Sequence, residues 1–304
     1  MTKEAPRRAR MDRFRAPAGA ARVDIRGVLT MAADVINGWV RTSDSTMTGG
    51  GGGVGSDRAV RIAAAINGLA RAEGVPVSIR HVGQACADAV DAIGVAIYLI
   101  SELGVPEPLY ATDPVSEHLT ELQVMLGEGP TTMALEEHRP VLEADLAGSQ
   151  AHEQWPLFGP DAVAAGVLAV FAFPLTMGAI AVGGLEIYRP RVGPLSAAQL
   201  DDAFVFSDMA MQLILDAVDD GPAVVEAKLL ASDLGLRWAE VHQAVGMVSA
   251  QLDSEVTTAF LRLRAYAFRT GRRLLSVSED VVNGKLRFDE ESIDDCGPDS
   301  RDEV

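Results

Sequence analysis

The chain has 304 residues, of which 48% are hydrophobic and 23% charged, and a formal net charge of −17. That length holds two domains, or one with long appendages, and the composition is globular. The charge excludes a nucleic-acid footprint spread over the whole molecule, because phosphate binding needs a concentrated basic surface. The charge is also uneven. Residues 1–22 carry seven basic side chains against two acidic, residues 224–288 nine against seven, and residues 289–304 one against eight. Any polyanionic partner therefore belongs to the N-terminal arm or to the region before the acidic tail. Two cysteines, Cys86 and Cys296, lack ligand spacing and fit free thiols in a reducing cytosol. The arginine-rich start lacks the apolar run of a signal peptide.

In chain order, residues 1–22 read as a disordered basic arm. Residues 23–75 read as a helical extension. Its first helix carries the stripe Val28, Met31, Ala32, Val35, Ile36 and Trp39, and its second runs over Asp57–Glu73, with the glycine run 49–53 as a linker between them. A third helix follows over about Ser78–Ala89, then a strand over Gly94–Leu99, helices at Ser116–Leu126 and Thr131–Glu137, and a short strand at Pro140–Leu142. Ala162 to Leu185 contains no charged side chain and is long enough to span a bilayer. Pro174 and the glycines at 166, 178, 183 and 184 instead predict a helix end, a strand at Val167–Pro174, a turn at Thr176–Gly178, and a strand at Ala179–Tyr188. A long amphipathic helix over Ser196–Val218 closes this region, so residues 76–218 read as an α+β domain: an antiparallel sheet covered by helices.

From residue 224 the pattern is helical only. One helix covers Trp238–Leu252. Asp253-Ser254 offers an N-cap for a second helix through Thr270, with Val256, Phe260, Leu263 and Ala267 on one stripe and Gly271 past its end. Ser276 and Glu279 have capping-box spacing before Val281-Val282. Residues 224–288 thus form an all-α three-helix module, and 289–304 an acidic tail.

Two resemblances follow. Ala244, Gly246 and Met247 in one helix, with Ala259, Phe260, Leu263 and Arg264 in the next, resemble the ANTAR domain. Leu126-Gly-Glu-Gly-Pro130, Trp155-Pro-x-Phe158, Val170–Leu175 and Leu185-Glu-Ile-Tyr188 are similar to a GAF domain, in particular to those that precede ANTAR modules in actinobacteria. The pair implies a cytoplasmic GAF–ANTAR regulator that is not an enzyme. It implies a GAF-like sensor taking a small-molecule or protein signal, and an ANTAR module binding paired RNA hairpins, as a homodimer, to control transcription antitermination or translation.

The residues supply their own case. Arg262, Arg264, Arg269, Arg272 and Arg273 fall within one short segment, and Arg262 and Arg269 are seven apart, near one side of a helix. Guanidinium groups suit phosphate and stack on unpaired bases, and Tyr266 is placed to stack on a loop base. Ala244 and Gly246 allow close approach of either RNA backbone or a neighbouring helix. Trp155, Phe158, Phe171, Phe173 and Tyr188 are the candidate ligand pocket, against the competing reading that they are core. No metal site or cofactor is expected: His81, His118, His138, His152 and His242 lack ligand spacing, and no Gly-x-Ser-x-Gly elbow occurs. Cys86, beside Val82, Ala85 and Ala89, reads as a buried small hydrophobe. Two rival readings stay open: a DNA-binding helix-turn-helix regulator, disfavoured by Glu279 and Asp280 in its recognition helix, and a sensor acting only through protein contacts.

Overall fold

The computed structural model of the chain describes residues 54–101, 104–178, 180–219 and 233–289. The basic arm, the helix at 23–40, the glycine run 49–53, residues 224–231, Cys296 and nearly all of the acidic tail lie outside the described residues.

Helices α1 (Val54–Glu73) and α2 (Ile79–Val90) lead into β1 (Gly94–Ile100) and β2 (Pro106–Ala111). Then come α3 (Pro114–Leu126), α4 (Pro130–Glu137), β3 (Val141–Glu143), α5 (Ser149–Gln154) and α6 (Phe158–Ala164). Strands β4 (Ala169–Met177) and β5 (Ile180–Arg189) and the long helix α7 (Ala197–Asp219) complete the α+β part. The five strands form one antiparallel sheet in the order β2-β1-β5-β4-β3. The expected α+β class is met, and the uncharged stretch is a hairpin, its turn made by Gly178 at φ 61°. No described helix is long and apolar enough to cross a membrane.

Side-chain alternation along the strands divides the interior in two. Val95, Ile97, Phe171, Phe173, Leu185 and Ile187 point to one face, where α1, α2 and α7 cover them with Ile62, Val82 and Phe206. Ala96, Tyr98, Val170, Ala172 and Tyr188 point to the other, beneath α3 to α6, with Leu119, Trp155 and Phe158. Helix α1 is therefore built into the first core through Ile62 and Ile66, with Leu69 packed against it, and its Arg58 and Arg61 pair with Asp201 and Asp202 of α7. Cys86 is fully buried in the same core, and burial pushes its thiol up well beyond the ordinary range.

The helical part consists of α8 (Asp233–Leu252), α9 (Val256–Arg269) and α10 (Leu274–Val282). The three-helix expectation holds, with two corrections at the caps. Asp253 takes a left-handed φ of 47°, so α9 starts later than the Asp253-Ser254 cap implied, with Glu255 at its N-cap. Ser276 lies inside α10, whose N-cap is Arg273, because burial of Leu274 and Leu275 starts that helix earlier. Trp238, Val241, Ala244, Val245 and Val248 of α8 pack on Phe260, Leu263 and Ala267 of α9 and on Leu274, Val277 and Val281 of α10.

This core does not stop at the module. Val124 of α3 belongs to it, and Val105, Ala111 and Met125 pack against it. Helix α3 is thus buried on two sides, by the sheet and by the helical module, and its polar side chains Thr120, Glu121 and Gln123 are buried as well. Each needs a partner inside the protein. Asp113 caps the helix by accepting from Val115 N at 2.9 Å and Ser116 N at 3.0 Å, with Pro114 in the first turn.

Candidate nucleic-acid interface

The eight residues singled out in the C-terminal helices do not share one surface. Ala244 is fully buried in the packing of α8 against α9 and α10. It is a spacer between helices and is withdrawn as a contact; Gly246, two residues on, is half-buried. Arg264 turns inward. Its Nε donates to the Met125 carbonyl at the end of α3 at 2.9 Å, and its carbon stands 5.6 Å above the Phe260 ring. Burial lowers its pKa from the ordinary guanidinium value. Arg273 also reaches back to α3: its Nε donates to Glu121 Oε2 at 2.6 Å and its Nη2 to Glu117 Oε1 at 3.1 Å. Arg272 pairs within the module, donating from Nη2 to Asp280 Oδ2 at 2.6 Å. Tyr266 is half-buried, edge-on to Phe288 with ring centroids 5.4 Å apart.

Arg262 and Arg269 are different. Both are exposed, and neither has an ion-pair partner among the described residues. Arg269 lies over the Tyr266 ring at 5.7 Å, which fixes its direction without consuming its charge. The same outer face of α9 exposes Thr258, Ala265, Leu261 and Phe268, the last two at 54% and 52%. Leu261 and Phe268, like Arg262 and Arg269, are one heptad apart, so two parallel rows of the helix present an apolar edge and a cationic edge. Phe268 was missed because the helical stripe through Phe260, Leu263 and Ala267 accounts for the core, and an aromatic off that stripe passes for a solvated neighbour.

Carboxylates of α3 hold the module against the sheet domain. Glu121, 3% exposed, accepts from Arg273 on Oε2 and from the Leu275 backbone amide on Oε1 at 2.8 Å. Glu117 receives Arg237 of α8 at 2.5 Å as well as Arg273. Farther along, His242 Nε2 lies 2.7 Å from Glu107 Oε2 of β2. Replacing Glu121 with Ala leaves the buried Leu275 amide without its acceptor and Arg273 with Glu117 alone. A loss of about 2 kcal/mol in a urea titration is expected, whereas Glu240→Ala on the exposed side of α8 stays within roughly 0.5 kcal/mol.

The five residues offered as a ligand pocket are all buried, and the sheet separates them. Phe171 and Phe173 face α2 and α7, while Trp155, Phe158 and Tyr188 lie on the opposite side. A single pocket lined by all five is excluded by the two-residue period of β4 and β5. Tyr188 instead belongs to a buried polar group that the sequence reading did not find. Glu186, fully buried, accepts on Oε2 from Tyr98 Oη at 2.6 Å, Tyr188 Oη at 2.7 Å and Gln123 Nε2 at 2.6 Å. Ala96 and Ala172 flank it across the strands, which leaves room for a long side chain. Its Oε1 and the neighbouring Thr131 hydroxyl make no hydrogen bond of good geometry among the described residues. Burial raises the Glu186 pKa, opposed by the three donors. The folded protein therefore binds this proton more tightly than the unfolded chain. Stability is lost as pH rises from the unfolded value through the folded one. Glu186→Gln keeps the acceptor and offers a donor toward Thr131. It is expected to be more stable than the parent protein at pH 8, with the difference shrinking toward pH 5 in paired denaturation curves.

Among the described residues, no group of three or more His, Cys, Asp or Glu could hold a metal ion. No family model matches the chain, and no curated protein matches it. Among solved structures it is similar to GAF domains. The GAF domain of an Acinetobacter phosphoenolpyruvate-protein phosphotransferase is 17% identical over 56% of this chain and 98% of that one, with a TM-score of 0.41. The GAF-B domain of DevS from Mycobacterium smegmatis is 17% identical over 47% and 93%, with a TM-score of 0.34. The free methionine-R-sulfoxide reductase of Thermoplasma acidophilum is 15% identical over 54% and 97%, at 0.36.

Proposed function

We propose that the chain is a cytoplasmic, non-enzymatic regulator whose C-terminal helices bind the loops of paired RNA hairpins, and so act in transcription antitermination, under a signal received by the α+β part. The observation that carries this reading is the outer face of α9, where Arg262 and Arg269, without an ion-pair partner among the described residues, stand beside exposed Phe268. Guanidiniums reach phosphate, and an exposed ring stacks on an unpaired base. The resemblance of α8 and α9 to an ANTAR module supports the same assignment, and the resemblance of the preceding domain to GAF sensors supports the signal input. The duplex-DNA alternative fares worse, because α10 presents exposed Glu279 where a recognition helix meets the major groove.

Two hairpins call for two modules, so the active species is a homodimer. The experiment is a fluorescence-anisotropy titration of the full chain with a paired-hairpin RNA, the same RNA with its loops closed into duplex, and a duplex DNA. Binding of the first alone, at a stoichiometry of two chains per paired element, is expected. Equal affinity for all three, or none for any, refutes the proposal.

A further inference from the structure

A cavity of about 420 Å³ opens on the seam between the two halves of the chain. One wall is α3, through His118, Leu122 and Met125. A second is the turn between α5 and α6, through Pro156 and Leu157. The third is the end of α9 and its link to α10, through Phe268, Arg272 and Arg273. Its size is that of a pocket for a small organic molecule.

The walls have two chemical characters. The apolar part is unfinished: Leu157 is 46% and Phe268 52% exposed, although both border the same hollow. Large apolar side chains left wet at the rim of one hollow gain by burying a flat apolar body against them. In the polar part, Glu121 and Arg273 are committed to each other, while Arg272, though paired with Asp280, keeps further donors. Glu121 uses one oxygen on the Leu275 amide and the other on Arg273. Arg272 uses Nη2 on Asp280 and, at 3.4 Å, on Ser276 O, and a guanidinium has donors to spare beyond one nitrogen. Half-buried His118 has no side-chain partner among the described residues. Asp161 also borders the cavity, but it is exposed, so water screens its charge.

We propose that this seam cavity binds a small aromatic acid, its ring against Leu157 and Phe268 and its anionic group toward Arg272 and His118. Phe268 also belongs to the outer face of α9, and Arg273 ties the module to α3. The occupant therefore touches both the nucleic-acid face and the joint that positions it. Only this consequence for RNA rests on the function proposed above; binding at the cavity does not.

The test uses the full chain and two dyes. One is 8-anilinonaphthalene-1-sulfonate, an aromatic body with an anionic group. The other is N-phenyl-1-naphthylamine, the same ring system without the acid. Saturable one-site fluorescence enhancement with the sulfonate is expected, with at least tenfold weaker binding of the amine. Arg272→Gln reduces the sulfonate's affinity about tenfold and leaves the amine's unchanged. Leu157→Glu abolishes binding of both, while Ile180→Glu, at an exposed apolar position on the β4–β5 hairpin, leaves both as they were. Circular dichroism confirms that each variant is folded. Sulfonate binding that survives Leu157→Glu, that falls equally with Ile180→Glu, or that the amine matches overturns the site. Because the readout needs no RNA, a negative anisotropy titration leaves this result standing, and the reverse holds as well.

Discussion

Replacing both Arg262 and Arg269 with Ala is expected to weaken hairpin-RNA binding roughly 100-fold, at about 1.4 kcal/mol for each guanidinium removed from a charge-assisted contact. Neither side chain has an ion-pair partner among the described residues, so their loss leaves no carboxylate unpaired and the fold intact. The salt dependence sharpens the expectation. Each phosphate contact to a single strand contributes about 0.7 to the slope of log K against log salt, so the double variant's slope is shallower by roughly 1.4. Arg264→Ala is the contrasting case. That guanidinium is committed to the Met125 carbonyl and the Phe260 ring, so its removal lowers stability first and changes the slope little. If Arg264→Ala flattened the slope and the exposed pair did not, the assignment of the interface to the outer face of α9 would be wrong.

Gly183→Ala is expected to have the largest effect on the fold. Gly183 lies on β5 opposite Leu99 of β1 and Leu175 of β4, in the middle of the sheet. A Cβ there runs into the backbone carbonyl of Tyr98, which has no rotamer to escape by. Relief requires the β1–β5 pair to separate, at a cost of about 3 kcal/mol. The neighbouring Gly184→Ala meets the Thr131 methyl at 3.2 Å, a contact that a small shift relieves, and the Phe173 carbonyl at an ordinary 3.7 Å, for about 1 kcal/mol. Urea denaturation of the two variants measures the difference, and similar midpoints would contradict the close approach.

What the sequence disclosed follows from the range of the interactions involved. The β4–β5 hairpin was legible because two apolar runs flank a glycine turn, and α9 because Phe260, Leu263 and Ala267 repeat at helical spacing. Strand β2 went unread because Pro106 and Pro108 argue against a strand; the sheet tolerates them because β2 is an edge. The division of the aromatic residues between two faces was implicit in the strand period. It was obscured by grouping Phe171 and Phe173 with Trp155, Phe158 and Tyr188 by residue type. Glu186 carried a signal that was passed over: a lone carboxylate within the apolar run of β5. The division of the arginines into committed and available groups was not legible. Arg264 and Arg273 are answered by Met125, Glu117 and Glu121, more than a hundred residues earlier, and no local pattern records that pairing.

The same pairing gives the regulatory idea its physical form. The module is fastened to α3 by Glu117 and Glu121, while Arg262 and Arg269 on the outer face of α9 are exposed and have no ion-pair partner among the described residues. If α9 reads RNA as proposed, a change at the seam reaches that face through this joint. The most direct measurement is photocrosslinking of the full chain to a paired-hairpin RNA carrying 4-thiouridine in its loops, with the attached peptides mapped by mass spectrometry. Crosslinks concentrated on the peptide that contains Phe268, and absent when the loops are closed into duplex, are expected. Crosslinks confined to the α+β domain, or unchanged on loop closure, would contradict an RNA-reading role for α9.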